Sequence, residues 1–124
     1  MPLTDAGKDH IAVVLIGEPV TDYDGANSYL GVGDSSAAFA ASQTDLQGTS
    51  DRKLTDPGNP ERVNNTLTFR ATWPDGDAEF AWEEVGLFNA STGGTMMLRE
   101  VQSLGTKPSG QAWRLTLTVD VENP

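Results

Sequence analysis

The chain has 124 residues, enough for one domain of ordinary size, and its 18 acidic and 8 basic residues give a formal net charge of -10. This charge argues against a nucleic-acid partner, because phosphate groups are bound by Lys and Arg. Cysteine is absent, which excludes disulfide bonds, thiolate zinc sites and a cysteine nucleophile. No apolar run is long enough to span a membrane, and the first residues do not resemble a signal peptide. We therefore predict a single domain, residues 1–124, that binds neither nucleic acid nor membrane.

The first segment has the pattern of an amphipathic helix, predicted over residues 4–16 within an N-terminal helical region, 1–17. Thr4 is a suitable N-cap, because its hydroxyl can accept a hydrogen bond from an early free N–H group. Ile11, Val14 and Leu15 follow the i, i+3, i+4 spacing of an apolar stripe. The last turn is rich in β-branched residues and would equally suit a strand.

The middle of the chain has weaker patterns. We predict a loop over residues 18–27, a short strand over 29–33, and a Ser/Ala-rich connection over 34–47. Residues 48–65 contain the turn signals Pro57-Gly58 and Pro60 and are predicted to be a flexible loop. A short edge strand could form within this loop at 52–54.

Strong β patterns begin at residue 66. Apolar and polar residues alternate over 66–73, which is typical of a half-buried strand, and a turn sequence leads into a second strand over 78–88. We interpret these two strands as a hairpin. Further strands are predicted over 95–101 and 111–121. The predicted fold is mainly β, an antiparallel β-sandwich or barrel-like sandwich with one N-terminal α-helix.

The strand over 78–88 changes the parity of its apolar residues. Phe80 and Trp82 occupy even positions, whereas Val85 and Leu87 occupy odd ones. All four can face one side only if an extra residue is inserted, so we predict a β-bulge near residues 83–84.

Few residues suggest chemistry. His10 is the only histidine and has no clustered partners, so an ordinary structural position is favoured over a catalytic one. Glu83 or Glu84, if it points inward, requires a partner such as Arg70 or Arg99, because an unpaired buried charge is costly. We therefore predict a structural salt bridge, and no catalytic, cofactor-binding or metal-binding residues.

Five stretches occur in an order that resembles a known class of protein. They are residues 3–12, 31–34, 44–47, 65–69 and 82–90, which include the sequences GVGD, TDLQ and WEEVGLFNA. Together they look like a small virion structural protein of tailed phages or archaeal tailed viruses. They are also similar, more distantly, to the N-terminal attachment domain of phage tail-collar fibre proteins.

This resemblance implies a non-enzymatic component of a virion, assembled in the host cytoplasm and without a cofactor. Its expected role is to dock on the capsid surface as a decoration or cement protein. Its expected partners are the major capsid protein or tail proteins, together with copies of itself in a homotrimer. The candidate interface residues are Ile11, Val14, Leu15, Tyr23 and Tyr29.

Two alternatives remain open. Within the same class, the chain could be a tail-fibre or baseplate adaptor protein. From another class, it could be a carbohydrate-binding module in which Trp73, Trp82 and Trp113 stack on sugars. The strand patterns place these tryptophans in the core more readily than on the surface.

Overall fold

A computed structural model describes residues 2–122 of the chain. These residues form one helix and seven strands. In chain order they are α1 (Asp5–Leu15), β1 (Tyr29–Gly33), β2 (Ser50–Leu54), β3 (Glu61–Val63), β4 (Thr66–Trp73), β5 (Glu84–Phe88), β6 (Met96–Val101) and β7 (Trp113–Asp120).

The strands form two antiparallel sheets. A four-stranded sheet has the order β2-β1-β5-β6, and a three-stranded sheet has the order β3-β4-β7. Apolar residues from both sheets share one buried core. The predicted fold class is therefore confirmed as mainly β, with a sandwich-like pair of antiparallel sheets and a single short helix.

The predicted hairpin between β4 and β5 was wrong. β4 pairs with β3 and β7, whereas β5 pairs with β1 and β6 in the opposite sheet. The connection between them crosses from one sheet to the other. The burial of the two strands explains the separation: every residue of β5 is buried, so it needs cover on both faces, whereas β4 carries half-exposed threonines on one face.

The predicted change of parity is present near residues 83–84, but it is not a bulge in the pairing of two strands. Trp82, Val85 and Leu87 all lie in the shared core, because the chain is irregular between an isolated bridge at Ala81 and the start of β5. The register shift of the sheet lies instead opposite Leu87 and Phe88, where β6 carries one extra residue.

Tryptophans organise one end of the core. Trp73 and Trp82 are buried, with ring centroids 5.0 Å apart and an interplanar angle of 68°. Trp113, which is half-buried, meets Trp82 at 5.2 Å and 75°. These edge-to-face contacts are the arrangement that aromatic quadrupoles favour.

The outer face of the four-stranded sheet is covered by the connection from β1 to β2. Leu46 lies over Gly31 of β1 and Gly86 of β5, and it forms a second apolar cluster with Phe88 and Met96. A Cβ atom at residue 86 would lie 2.8 Å from Phe88 Cε1 and 3.0 Å from Leu46 Cδ2. Only glycine therefore leaves room for this second layer.

A buried ion pair joins this layer to the sheet. Glu84 and Arg99 both have fully buried side chains, and Arg99 Nε donates to Glu84 Oε1 at 2.8 Å. The same carboxylate accepts hydrogen bonds from the backbone N–H groups of Gln47 at 2.8 Å, Gly48 at 2.9 Å and Ser35 at 3.2 Å. The predicted structural salt bridge is confirmed, with Arg99 as the partner.

The segment 48–65 was predicted as a loop with room for an edge strand at 52–54; that edge strand is present as β2, and β3 was not predicted. Arg52 explains much of the order at β2, because its guanidinium lies 3.4 Å from the centroid of the Phe88 ring and donates to Ala90 O and Gly93 O. The loop assignment failed because these contacts are made by residues distant in sequence. The predicted helix is confirmed as α1, capped by Thr4.

Replacing Arg99 by Met is expected to lower the free energy of unfolding by about 3–5 kcal/mol, because it leaves Glu84 charged and buried without its partner. The matched control is Arg70→Met, which removes the partly exposed Arg70–Glu61 pair and should cost less than about 1 kcal/mol. Urea unfolding of the two variants measures the difference. Equal effects would show that the buried pair is not a principal contributor to stability.

Candidate functional site

Helix α1 is attached to the sheet by its N-terminal half. Thr4 is buried, accepts a hydrogen bond from the Gly7 N–H at 2.9 Å, and donates through its hydroxyl to the Met96 carbonyl. Gly7 lies against the backbone of β6, where an added Cβ would lie 2.9 Å from Met97 Cα. His10 is the only other buried residue of the helix. The contact that holds α1 in place is therefore made by small and polar residues.

The apolar stripe of α1 is largely exposed. The exposed fraction is 39% for Ile11, 47% for Val14 and 79% for Leu15. Amphipathic helices normally bury such a stripe against the core. Here the stripe lies along the rim of an open groove instead.

This groove, which we call the α1 groove, has a volume of about 310 Å³. One wall is the stripe of α1, and the floor is formed by the core-facing ends of the strands. The floor residues are Leu67, Phe69, Leu87, Met97, Val119 and Val121. Asp22 is the one carboxylate that lines the groove, and no Lys or Arg side chain of the described residues lines it. Its surface is therefore apolar, with a single acidic position.

Tyr23 and His10 close the inner end of the groove. Their rings meet edge to face, with centroids 4.8 Å apart and an interplanar angle of 81°. The Tyr23 hydroxyl donates to Thr95 O at 2.6 Å, which fastens the connection after α1 to the start of β6. Burial raises the pKa of Tyr23 well above its usual value, because the phenolate would be poorly solvated there.

The structure brings together four of the five predicted interface residues. Ile11, Val14, Leu15 and Tyr23 all line the α1 groove. Tyr29 does not, because it lies at the start of β1 and packs half-buried against the cluster of Leu46, Phe88 and Met96. Four of the predicted interface residues therefore lie on one surface, whereas Tyr29 has a structural position.

The buried carboxylate of Glu84 is occupied by contacts within the fold. The carboxylate of Glu84 already accepts one hydrogen bond from Arg99 and three from backbone N–H groups, which leaves it no free position for a substrate. Within residues 2–122, no group of three or more His, Asp or Glu side chains is placed to hold a metal ion. Trp73 and Trp82 are buried, so neither offers a face to a sugar ring.

The floor of the groove was not predicted from the sequence. Leu67 and Val119 are cross-strand partners in an alternating pair of strands, and the alternation indicated only that both point inward. Whether an inward residue is covered depends on which element lies above it.

Comparison with protein-family models, with curated proteins and with solved structures finds no match to this chain. The resemblance to virion proteins is therefore carried by the sequence motifs alone. Among the described residues, no helix combines the length and the apolar character needed to cross a membrane.

Replacing Tyr23 by Phe is expected to lower the free energy of unfolding by about 1 kcal/mol, because Thr95 O loses a partly buried donor. The control is Tyr29→Phe, since no hydrogen bond from the Tyr29 hydroxyl occurs within residues 2–122, and little change is expected there.

The raised pKa of Tyr23 predicts that the stability of the chain depends on pH. Because the pKa of Tyr23 is raised in the folded state, the folded chain retains this proton after the unfolded chain has lost it. Wild-type stability should therefore fall as pH rises above about 10, the ordinary tyrosine value. Tyr23→Phe should reduce this slope, and an unchanged slope in chemical denaturation at alkaline pH would contradict the assignment.

Proposed function

We propose that the chain is a non-enzymatic structural component of a tailed-virus virion, which docks on the capsid surface as a decoration or cement protein. The observation that supports this proposal best is the exposed apolar stripe of α1 beside an apolar groove. A binding function explains this surface, because three neighbouring apolar side chains of the only helix in residues 2–122 are left uncovered by the chain's own core.

The proposed occupant of the α1 groove is an apolar segment of the major capsid protein. Apolar side chains of such a segment would fill the groove between α1 and the floor residues, and a Lys or Arg beside them would meet Asp22. A basic partner also suits the whole chain, whose net charge of -10 attracts positive surfaces and repels acidic ones.

The virion context comes from the resemblance. Three of the five stretches that carry it meet in the fold: residues 31–34 and 82–90 are in contact in the four-stranded sheet, and 44–47 lies across them. These motifs thus describe a shared packing arrangement, which supports a common architecture more than a particular position on the particle. A tail-fibre or baseplate adaptor would use the same groove on a tail protein.

The double substitution Val14→Asp, Leu15→Asp tests the proposal. Both side chains are exposed, so the fold should survive, whereas two carboxylates in an apolar groove should abolish docking. The measurement is co-sedimentation of the purified chain with virus particles that lack it, followed by quantification of the bound protein.

Ile16→Asp is the matched control. Ile16 is adjacent in sequence and 73% exposed, but it is not among the residues that line the groove. The control should bind particles as wild type does. Wild-type binding by the double variant, or equal loss in both variants, would refute docking through the α1 groove.

A further inference from the structure

The two sheets have four edges, and three of them are protected against pairing with another chain. Leu3 bridges to Leu98, and Arg99 N–H donates to Pro2 O at 3.3 Å, so residues 2–4 cover β6. β3 has only 3 residues and follows Pro60. β2 has 5 residues and carries charged side chains along its centre. Short strands, proline, charges and covering segments are the usual means by which sheet edges avoid association.

The fourth edge is β7, and these protective features are weaker there than at the other three edges. It is a strand of 8 residues without proline, glycine or bulge, and its register with β4 is continuous from Trp113 to Asp120. No other strand of the described residues lies beside it, because it ends the order β3-β4-β7. A long, regular and uncovered edge is a template for another strand.

The free hydrogen-bonding groups of this edge can be identified. Val121 N–H donates to Asn65 O at 2.9 Å, so odd-numbered residues of β7 exchange hydrogen bonds with β4. The even-numbered residues therefore direct their backbone N–H and C=O groups away from the sheet. These residues are Arg114, Thr116, Thr118 and Asp120, and all four are exposed.

We infer that a second copy of this chain pairs with β7, antiparallel and across a two-fold axis, to join the two three-stranded sheets into one. This two-fold pairing takes the place of the homotrimer that the resemblance implies. A two-fold axis makes the same surface meet itself, so the strand must be complementary to its own reverse. The sequence of β7 meets this requirement in one register.

That register is centred on Leu117. It places Thr116 opposite the partner's Thr118 and Arg114 opposite the partner's Asp120, so each free backbone group of the four even-numbered residues finds a partner. Side chains directly opposite in an antiparallel pair lie close enough to interact. The guanidinium of Arg114 and the carboxylate of Asp120 therefore attract each other twice, once at each end of the contact. Within its own chain Arg114 also pairs with Asp56 at 3.3 Å, and Asp120 accepts a hydrogen bond from the Thr66 hydroxyl at 2.7 Å, and both groups keep further hydrogen-bonding positions for the second copy.

The two neighbouring registers are worse, because each extends past an end of the partner's β7. A shift by two residues in one direction puts Arg114 opposite the partner's Thr118 and Asp120 opposite the partner's Ala112, so both charge pairs are lost. The opposite shift puts Thr116 opposite the partner's Asp120 and Arg114 opposite the partner's Glu122, which lies beyond the end of the strand. In the favoured register Trp113 lies beside the partner's Val121, and Val121 is 65% exposed in the single chain.

Thr116→Pro is the direct test, measured by sedimentation velocity at about 0.1 mM protein, where a dimer with a micromolar dissociation constant would be nearly fully formed. Proline removes a backbone N–H that this chain does not use and is tolerated on sheet edges. Wild type should sediment as a dimer and Thr116→Pro as a monomer. A monomeric wild type, or a dimer or trimer that persists in Thr116→Pro, would overturn the inference.

Charge exchange provides a second test that is independent of proline. Arg114→Asp and Asp120→Arg alone should each weaken association by about ten-fold, because like charges then face each other. The two substitutions combined should restore it, since the pair is reformed with reversed polarity. Failure of the double variant to recover, while both single variants fold, would contradict the register.

Amide hydrogen exchange gives the residue-level signature. The N–H groups of Thr116 and Thr118 should become protected as protein concentration rises, whereas those of Leu115 and Leu117 should be protected at every concentration. The pairing would be contradicted if the protection of all four N–H groups depended equally on protein concentration, or if the protection of none of them did. The α1 groove shares Val121 with this contact, but Val14 and Leu15 belong to α1 and not to the edge of β7, so the docking variants Val14→Asp, Leu15→Asp should leave this dimer intact.

Discussion

The buried ion pair between Glu84 and Arg99 is the interaction on which the remainder of the fold depends. Removing two charges from water is very unfavourable, and it is tolerated only when the geometry satisfies nearly every polar atom. Here the connection from β1 to β2 supplies three backbone N–H groups to the carboxylate, and Arg99 donates to the carbonyl of Ala37 and the side chain of Gln43. A long connection is thus held as a second layer on the sheet.

This layer determines which surfaces remain for partners. Because the connection covers the outer face of the four-stranded sheet, β5 is buried on both sides and cannot contribute to binding. The remaining candidates are the stripe of α1 and the free edge of β7. The first results from a helix that is attached through Thr4, Gly7 and His10 rather than through its apolar residues. The second results from a strand that has one neighbour.

Local patterns predicted the elements better than their partners. The strand over 66–73 and the cap at Thr4 were identified because a period of two and a capping residue are local properties. The pairing of β4 with β7 was missed, because a turn sequence between β4 and β5 favoured the nearer partner. Choosing the distant partner required knowing that β5 would be covered by Leu46 on one face and by the core shared with the three-stranded sheet on the other, which depends on the whole fold.

The candidate site was likewise predicted in part from local patterns. The stripe of Ile11, Val14 and Leu15 was predicted from helical spacing, but the groove floor was not, because Leu67 and Val119 look like ordinary core residues in their strands. Tyr29 was grouped with the interface because an aromatic residue at the start of a strand carries no sign of what covers it. Its cover, Leu46, is contributed by a connection without regular structure.

The central claim is that the chain is a virion component that covers the capsid. Its copy number relative to the major capsid protein, measured by quantitative mass spectrometry of purified particles, tests this most directly. We expect the chain to be nearly stoichiometric with the major capsid protein. A small number of copies would favour a tail or baseplate position, and absence from the particles would contradict a virion function altogether.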